Sequence, residues 1–185
     1  MLKRNLIVIL ALLLTYVSLA QGKYYTKTGK ISFYSKAPLE EIEGKNKTVT
    51  AVLDSKSGAM QFAVEMKGFE FQKQLMQQHF NENYVESDKY PKGEFKGAIV
   101  NNSEINYSKD GTYTAKVKGK LTIHGVTKDV ESTGTLKING GKIDAASTFN
   151  VLMSDYNIKI PAIVKDKVSN NIKITVDCDL EPLKG

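Results

Sequence analysis

Only two histidines and one cysteine occur in these 185 residues, which limits the catalytic and metal-binding chemistry open to the chain. His79 lies three residues before Glu82, and His124 precedes a glycine. These three groups could ligate zinc if the fold brought them together, but nothing in their spacing requires it. We favour placing His124 in a turn, bonded to nearby backbone, and His79 at the mouth of a binding cavity or packed over it. We therefore predict neither a metal site nor a cofactor.

The remaining reactive side chains give little support to an enzyme. Cys178 stands on the apolar row of an alternating stretch, which favours a small buried hydrophobe, and a lone cysteine cannot form an internal disulfide. No Gly-x-Ser-x-Gly sequence occurs. The carboxylate pairs Glu40–Glu41 and Asp177–Asp179 fall in a predicted loop and on an outward strand face, where solvated charge explains them. We predict that the protein is not an enzyme.

The elements that must position any site are strands. Apolar and polar residues alternate over 113–123, 130–138, 143–151 and 172–180. Period-2 alternation places one face of a strand in water and covers the other. Earlier strands are predicted near 24–35, 49–53 and 60–66, and a further one runs from Phe95 to about Tyr107. About eight strands, joined partly by Asp-Gly and Asn-Gly turns, predict an all-β, antiparallel, closed eight-stranded barrel able to hold one ligand.

Two segments interrupt the strand pattern. Residues 71–84 have no alternation and carry apolar side chains at helical spacing, so we predict a short helix between mid-chain strands. Residues 154–171 form a long connection before the last strand. Long loops are often functional lids, but apolar residues that simply cap the barrel end would explain this one equally well.

The inward rows suggest a cavity because several strands carry small residues at mid-length, where a filled barrel would carry Val, Ile and Leu. Aromatic and methionine side chains surround these positions, and methionine adapts to a flexible chain. Ordinary core packing also explains each such residue singly. The predicted cavity lining is Phe33, Met60, Phe62, Phe69, Phe71, Leu75, Met76, His79, Phe80, Phe95, Ala115, Gly119, Leu121, Gly134, Ala145, Ser147 and Phe149.

Composition and the first residues bear on location and partners. Lys3 and Arg4, the apolar run 6–14 and Ser18-Leu19-Ala20 are typical of a signal peptide over 1–20, which leaves one domain over 21–185 and predicts a periplasmic or secreted protein. The formal charge is +6, and Arg4 is the only arginine. Since arginine is the usual residue for reading phosphate and guanine, nucleic-acid binding is disfavoured. A transient membrane-surface contact and a homodimer stay open.

One motif carries a family resemblance. Leu121-Thr122-Ile123-His124-Gly125-Val126-Thr127-Lys128, taken with Leu75–Phe80, Ser87-Asp88-Lys89-Tyr90-Pro91 and Phe95, resembles the YceI-like family of secreted bacterial lipid-binding proteins. The resemblance spans about Tyr24 to Leu183. It implies a lipocalin-like barrel whose apolar interior holds an isoprenoid or another long-chain amphiphile. Many relatives carry an Arg-Asp pair where this chain has Phe71-Gln72-Lys73-Gln74, so no head-group role transfers from that pair.

Two functions follow as hypotheses. The first is a protein that binds an isoprenoid-like or fatty lipid in the barrel and sequesters or transports it. The alternative is an exported domain with a filled barrel that acts through its surface, in partner interaction or stress protection.

Overall fold

The computed structural model describes residues 22–183, so the predicted signal peptide lies outside the described residues. Within that range, nine strands form one antiparallel sheet, and no helix is long and apolar enough to cross a membrane. The strands are β1 (Lys23–Lys36), β2 (Glu41–Asp54), β3 (Ala59–Glu65), β4 (Glu70–Phe71), β5 (Lys92–Ile99), β6 (Gly111–Ile123), β7 (Val126–Asn139), β8 (Lys142–Leu152) and β9 (Asn171–Pro182).

The sheet closes on itself. The order β1-β9-β8-β7-β6-β5-β3-β2 returns to β1 through the β1–β2 pairing, and the two-residue β4 adds to the start of β2. Helix α1 (Gln74–His79) continues into a π-helical turn, Phe80–Tyr84, between β4 and β5. The predicted all-β, antiparallel eight-stranded barrel with a short mid-chain helix is therefore confirmed.

The strand predicted from Phe95 to Tyr107 is wrong in its second half, because β5 ends at Ile99. The buried Asn101 side chain explains the early end. Its Oδ1 accepts a hydrogen bond from the Lys116 backbone N–H at 2.8 Å, and its Nδ2 donates to the Thr114 carbonyl at 3.0 Å. These bonds pair backbone groups of β6 that would otherwise bond to a longer β5. A 3₁₀ turn follows at Asn102–Glu104.

The connections divide the barrel into two unlike ends. One end carries the segments 37–40, 66–91, 124–125 and 153–170, and the other carries 55–58, 100–110 and 140–141. The second end is filled by a close-packed core that includes Leu53, Ile99, Leu136, Ile143 and Leu180, each 3% exposed or less. We call it the closed end, and we call the first the open end.

Candidate ligand-binding cavity

A large cavity occupies the half of the barrel toward the open end. Its volume is about 530 Å³, within the range of roughly 300–1,000 Å³ that holds small ligands. Inward rows of the strands form its wall, with Met60, Phe62, Phe95 and Val176 at mid-barrel. The lining is apolar apart from a few side chains, so the cavity can accept hydrocarbon but supplies few hydrogen bonds.

Four phenylalanines form one side of this wall beneath α1. Phe80, at the end of α1, lies 5.2, 5.4 and 5.1 Å between ring centroids from Phe33, Phe69 and Phe71. Such aromatic pairs contribute about 0.5–1.5 kcal/mol each beyond burial. Gly44 makes room for the cluster, since a Cβ there would lie 2.5 Å from the Phe33 ring. The rings therefore hold the helical segment against the barrel wall.

The polar groups of the cavity collect mainly at its mouth. Lys73 Nζ lies 3.4 Å from Glu40 Oε1, and Lys167 and His79 also line the cavity. His79 is exposed, as expected for a residue at the mouth. A ligand with one polar end can place that end beside these groups while its apolar part lies in the barrel.

A cleft lies in the barrel wall between β7 and β8. Their pairing runs from Asn139↔Lys142 only as far as Gly134↔Ser147, although both strands continue toward the open end. Ser132 Oγ and Ser147 Oγ, 2.6 Å apart, mark the point where the strands separate. Beyond it lies a cleft of about 370 Å³. The cleft and the cavity share lining residues, namely Val130, Phe149, Val151 and Tyr156.

His124 holds three parts of the open end together. Its Nδ1 donates to the Tyr156 carbonyl at 3.0 Å, and its Nε2 lies 2.6 Å from Glu86 Oε2. The Tyr90 ring packs edge-on at 4.6 Å between centroids, and Gly125 leaves space for that ring. His124 lies in the β6–β7 turn as predicted, but the prediction that its ring bonds nearby backbone is wrong, because the Tyr156 carbonyl lies 32 positions further along the chain. Two segments on which the family resemblance rests, 121–128 and 87–91, thus contact each other.

The structure brings thirteen of the seventeen predicted lining residues to the cavity. They are Phe33, Met60, Phe62, Phe69, Phe71, Leu75, Met76, His79, Phe80, Phe95, Leu121, Ser147 and Phe149. Sequence reasoning missed Val117 and Val151, which stand on the predicted inward rows and could have been found there. It also missed Tyr156, Ile158 and Val168 in the 153–170 connection, whose orientation no periodic pattern reveals.

The other four predicted residues do not line the cavity, and this corrects the sequence-based assignment. Ala115 and Ala145 are 2% and 7% exposed and belong to the core of the closed end. Gly134 pairs with Ser147, and a Cβ on it would lie 2.5 Å from the Ala146 carbonyl oxygen. A Cβ on Gly119 would lie 2.6 Å from the Phe95 ring. These small residues accommodate neighbouring strands and rings and leave no space for a ligand.

The other reactive groups singled out in the sequence lie apart from the cavity mouth. Cys178 is fully buried, and burial raises the pKa of its thiol to about 12, which keeps it protonated and unreactive. Asp177 and Asp179 are exposed, as predicted for an outward strand face. Over residues 22–183, no three His, Cys, Asp or Glu side chains gather closely enough to hold a metal ion; His79 and Glu82 do not meet His124.

Fold and cavity together define a lipocalin-like barrel with an apolar interior open at one end. A profile of the YceI-like domain matches residues 23–180. The chain belongs to the YceI-like family.

Solved structures share this fold. A polyisoprenoid binding domain from Saccharophagus degradans, implicated in plant cell wall breakdown, aligns with a TM-score of 0.76 at 10% identity, over 88% of this chain and 99% of that one. Burkholderia cenocepacia BcnA aligns at 0.66 and 21% identity, over 82% and 94%. A Campylobacter jejuni YCEI protein aligns at 0.55 and 20% identity, over 74% and 82%. No curated protein sequence matches the chain significantly.

Proposed function

We propose that the protein binds a long-chain amphiphile, an isoprenoid-like or fatty lipid, inside the barrel. The observation that carries the proposal is an apolar cavity of about 530 Å³ that opens at one end of a barrel otherwise filled by core. Membership of the YceI-like family supports it, as does the fold shared with a domain described as polyisoprenoid binding. The apolar chain lies in the cavity, and the polar head lies at the mouth beside Lys73, Lys167 and His79.

Binding of this kind needs little polar chemistry. Moving a methylene group from water to an apolar interior releases about 0.8 kcal/mol, and part of this offsets the cost of ordering the ligand. The few lining groups that can hydrogen-bond suit recognition of one polar end. The cavity therefore discriminates by length and shape of the hydrocarbon more than by its head.

Sequestration or transport is the role that such binding would serve, and we place it in the periplasm or outside the cell. This part of the proposal depends on the predicted signal peptide over residues 1–20. The alternative, a filled barrel acting through its surface, requires an interior without space, and only the closed end meets that condition.

Native mass spectrometry of the purified protein, followed by organic extraction, tests the proposal. We expect a hydrophobic adduct that extraction releases, and uptake of a dansyl-labelled prenol or of cis-parinaric acid by the extracted protein. Comparing the two probes separates an isoprenoid from a fatty ligand. Bare polypeptide that takes up neither probe would contradict the proposal and support the surface-acting alternative.

A further inference from the structure

The three most exposed large apolar side chains among the described residues lie around the cavity mouth. Ile163 is 91% exposed, Leu39 71% and Leu75 61%. They come from three segments distant in sequence, namely the 153–170 connection, the β1–β2 turn and α1. Apolar side chains that converge in this way on a protein surface mark an interaction site.

Hydrogen bonds and an ion pair hold these segments together at one rim. The Leu39 N–H donates to the Asp166 carbonyl at 2.9 Å, which joins the β1–β2 turn to the 153–170 connection. The Lys73–Glu40 ion pair joins the same turn to the residue that precedes α1. Leu75 also lines the cavity. The exposed apolar side chains therefore surround the opening through which a ligand would pass.

Positive charge flanks these side chains. Lys159, Lys165 and Lys167 lie with one acidic residue, Asp166, in ten consecutive residues, which gives this stretch a formal charge of +2 (three lysines less one aspartate). All three lysines are exposed, and none forms an ion pair with any residue between 22 and 183. Lysines beside protruding apolar side chains are complementary to anionic lipid headgroups above a hydrocarbon layer.

We infer that this rim, formed by Leu39, Leu75 and Ile163 with Lys159, Lys165 and Lys167, docks on the surface of an anionic lipid bilayer. The apolar side chains enter the headgroup region, the lysines meet lipid phosphates, and the cavity mouth faces the membrane. Docking is a property of the outer surface, so it goes beyond the proposed function and does not depend on which ligand fills the barrel. The flanking lysines favour a membrane over an apolar protein partner.

Sedimentation with vesicles tests the inference. The protein should bind vesicles of phosphatidylglycerol mixed with phosphatidylcholine, less so at high salt, and bind pure phosphatidylcholine weakly. A Leu39→Ser/Ile163→Ser variant should lower the partition coefficient at least ~10-fold because burying each side chain favours the bound state. A matched control, Val100→Ser/Leu183→Ser, removes exposed apolar side chains at the closed end and should leave binding unchanged.

A second variant tests the charge term. Lys159→Gln/Lys165→Gln should weaken binding to the anionic vesicles roughly 10- to 30-fold and leave binding to neutral vesicles unaltered. Circular dichroism should show that all variants fold, since every changed side chain is exposed.

Three results would overturn the inference. The first is no vesicle binding by the unchanged protein, and the second is an equal loss of vesicle binding in the rim and control variants. The third is a self-associated protein that Leu39→Ser/Ile163→Ser dissociates without any vesicle binding. Leu39 and Ile163 do not line the cavity, so lipid content measured on the same variant keeps the two proposals apart. A loaded cavity without vesicle binding would refute docking alone. Vesicle binding by a protein whose cavity takes up no lipid would refute the proposed function alone.

Discussion

Two positions on β8 allow a comparison between the part of the barrel that contains the cavity and the part that core side chains fill. Ser147 and Ala145 lie two residues apart on the same face of β8. Ser147 is half-buried and lines the cavity, whereas Ala145 is 7% exposed and pairs with Leu136 and Cys178, which are buried as well. Substituting each by phenylalanine places the same ring in two different surroundings.

The two substitutions should have different effects on the free energy of unfolding. In Ala145→Phe the ring has no space, and overpacking costs about 1–3 kcal/mol, which lowers Tm by roughly 2–12 °C in a chain of this size. In Ser147→Phe the loss of the hydrogen bond to Ser132 costs about 0.5–1.5 kcal/mol. Burying the new ring returns about 1.5–3 kcal/mol, so Tm should stay unchanged or rise.

Ser147→Phe, the more stable of the two variants, should lose more lipid affinity than Ala145→Phe. A ring at Ser147 occupies cavity space that a ligand chain would fill. Displacing two or three methylenes, at about 0.8 kcal/mol each, weakens binding roughly 10- to 60-fold. Ser147→Ala is the control, since it removes the same hydrogen bond without filling space, and it should bind lipid normally.

Thermal unfolding followed by circular dichroism gives Tm, and titration with a fluorescent lipid gives Kd. The reasoning fails if Ser147→Phe lowers Tm as much as Ala145→Phe does, because the position would then contain no space. It fails equally if Ala145→Phe folds normally and abolishes lipid binding, since the cavity would then lie toward the closed end.

Two further perturbations test the open end and the buried groups. His124→Ala should lower the free energy of unfolding by about 1.5–3 kcal/mol, because it removes the bonds to Tyr156 and Glu86; an unchanged urea midpoint would contradict the bridging role. Burial raises the pKa values of Cys178, Tyr107 and Tyr156 to about 12, from ordinary values of 9.0 and 10.0. Unfolding lets these groups ionise, so stability should be full below pH 9 and fall as the pH rises toward 12. Cys178→Ala should remove the part of that fall that begins near pH 9, and a Tm independent of pH between 9 and 12 would refute the argument.

The barrel could be predicted because alternation and turn residues are local signals. The turn between β7 and β8 is an example: Asn139 pairs with Lys142, and Gly140 and Gly141 both have the positive φ that a two-residue hairpin of this type requires. The early end of β5 could not be predicted in the same way. It depends on the Asn101 side chain meeting β6, a contact between residues thirteen or more positions apart that no local pattern encodes.

The site was harder to predict because residue size alone does not say which group fills the space beside it. At Gly119, one of the predicted lining residues, a Cβ would lie 2.6 Å from the Phe95 ring, and at Gly134 it would lie 2.5 Å from the Ala146 carbonyl oxygen. In both places a neighbouring group uses the room that the glycine leaves. The sequence shows the small residue but not the neighbour, so these positions resemble the wall of a cavity.

The space in this barrel arises instead from the way its strands separate. The cavity lies where the wall carries Val, Ile, Leu and Phe, toward the end at which β7 parts from β8 beyond the Gly134↔Ser147 pair. Side chains of similar size fill the interior at the closed end, where β7 and β8 are paired. The long 66–91 and 153–170 connections and the His124 bridge between them lie at this same end, so we expect the segments that form the rim to influence how much volume the barrel encloses. Changes in these segments should therefore alter ligand size more strongly than changes in the inward glycines, which affect folding first.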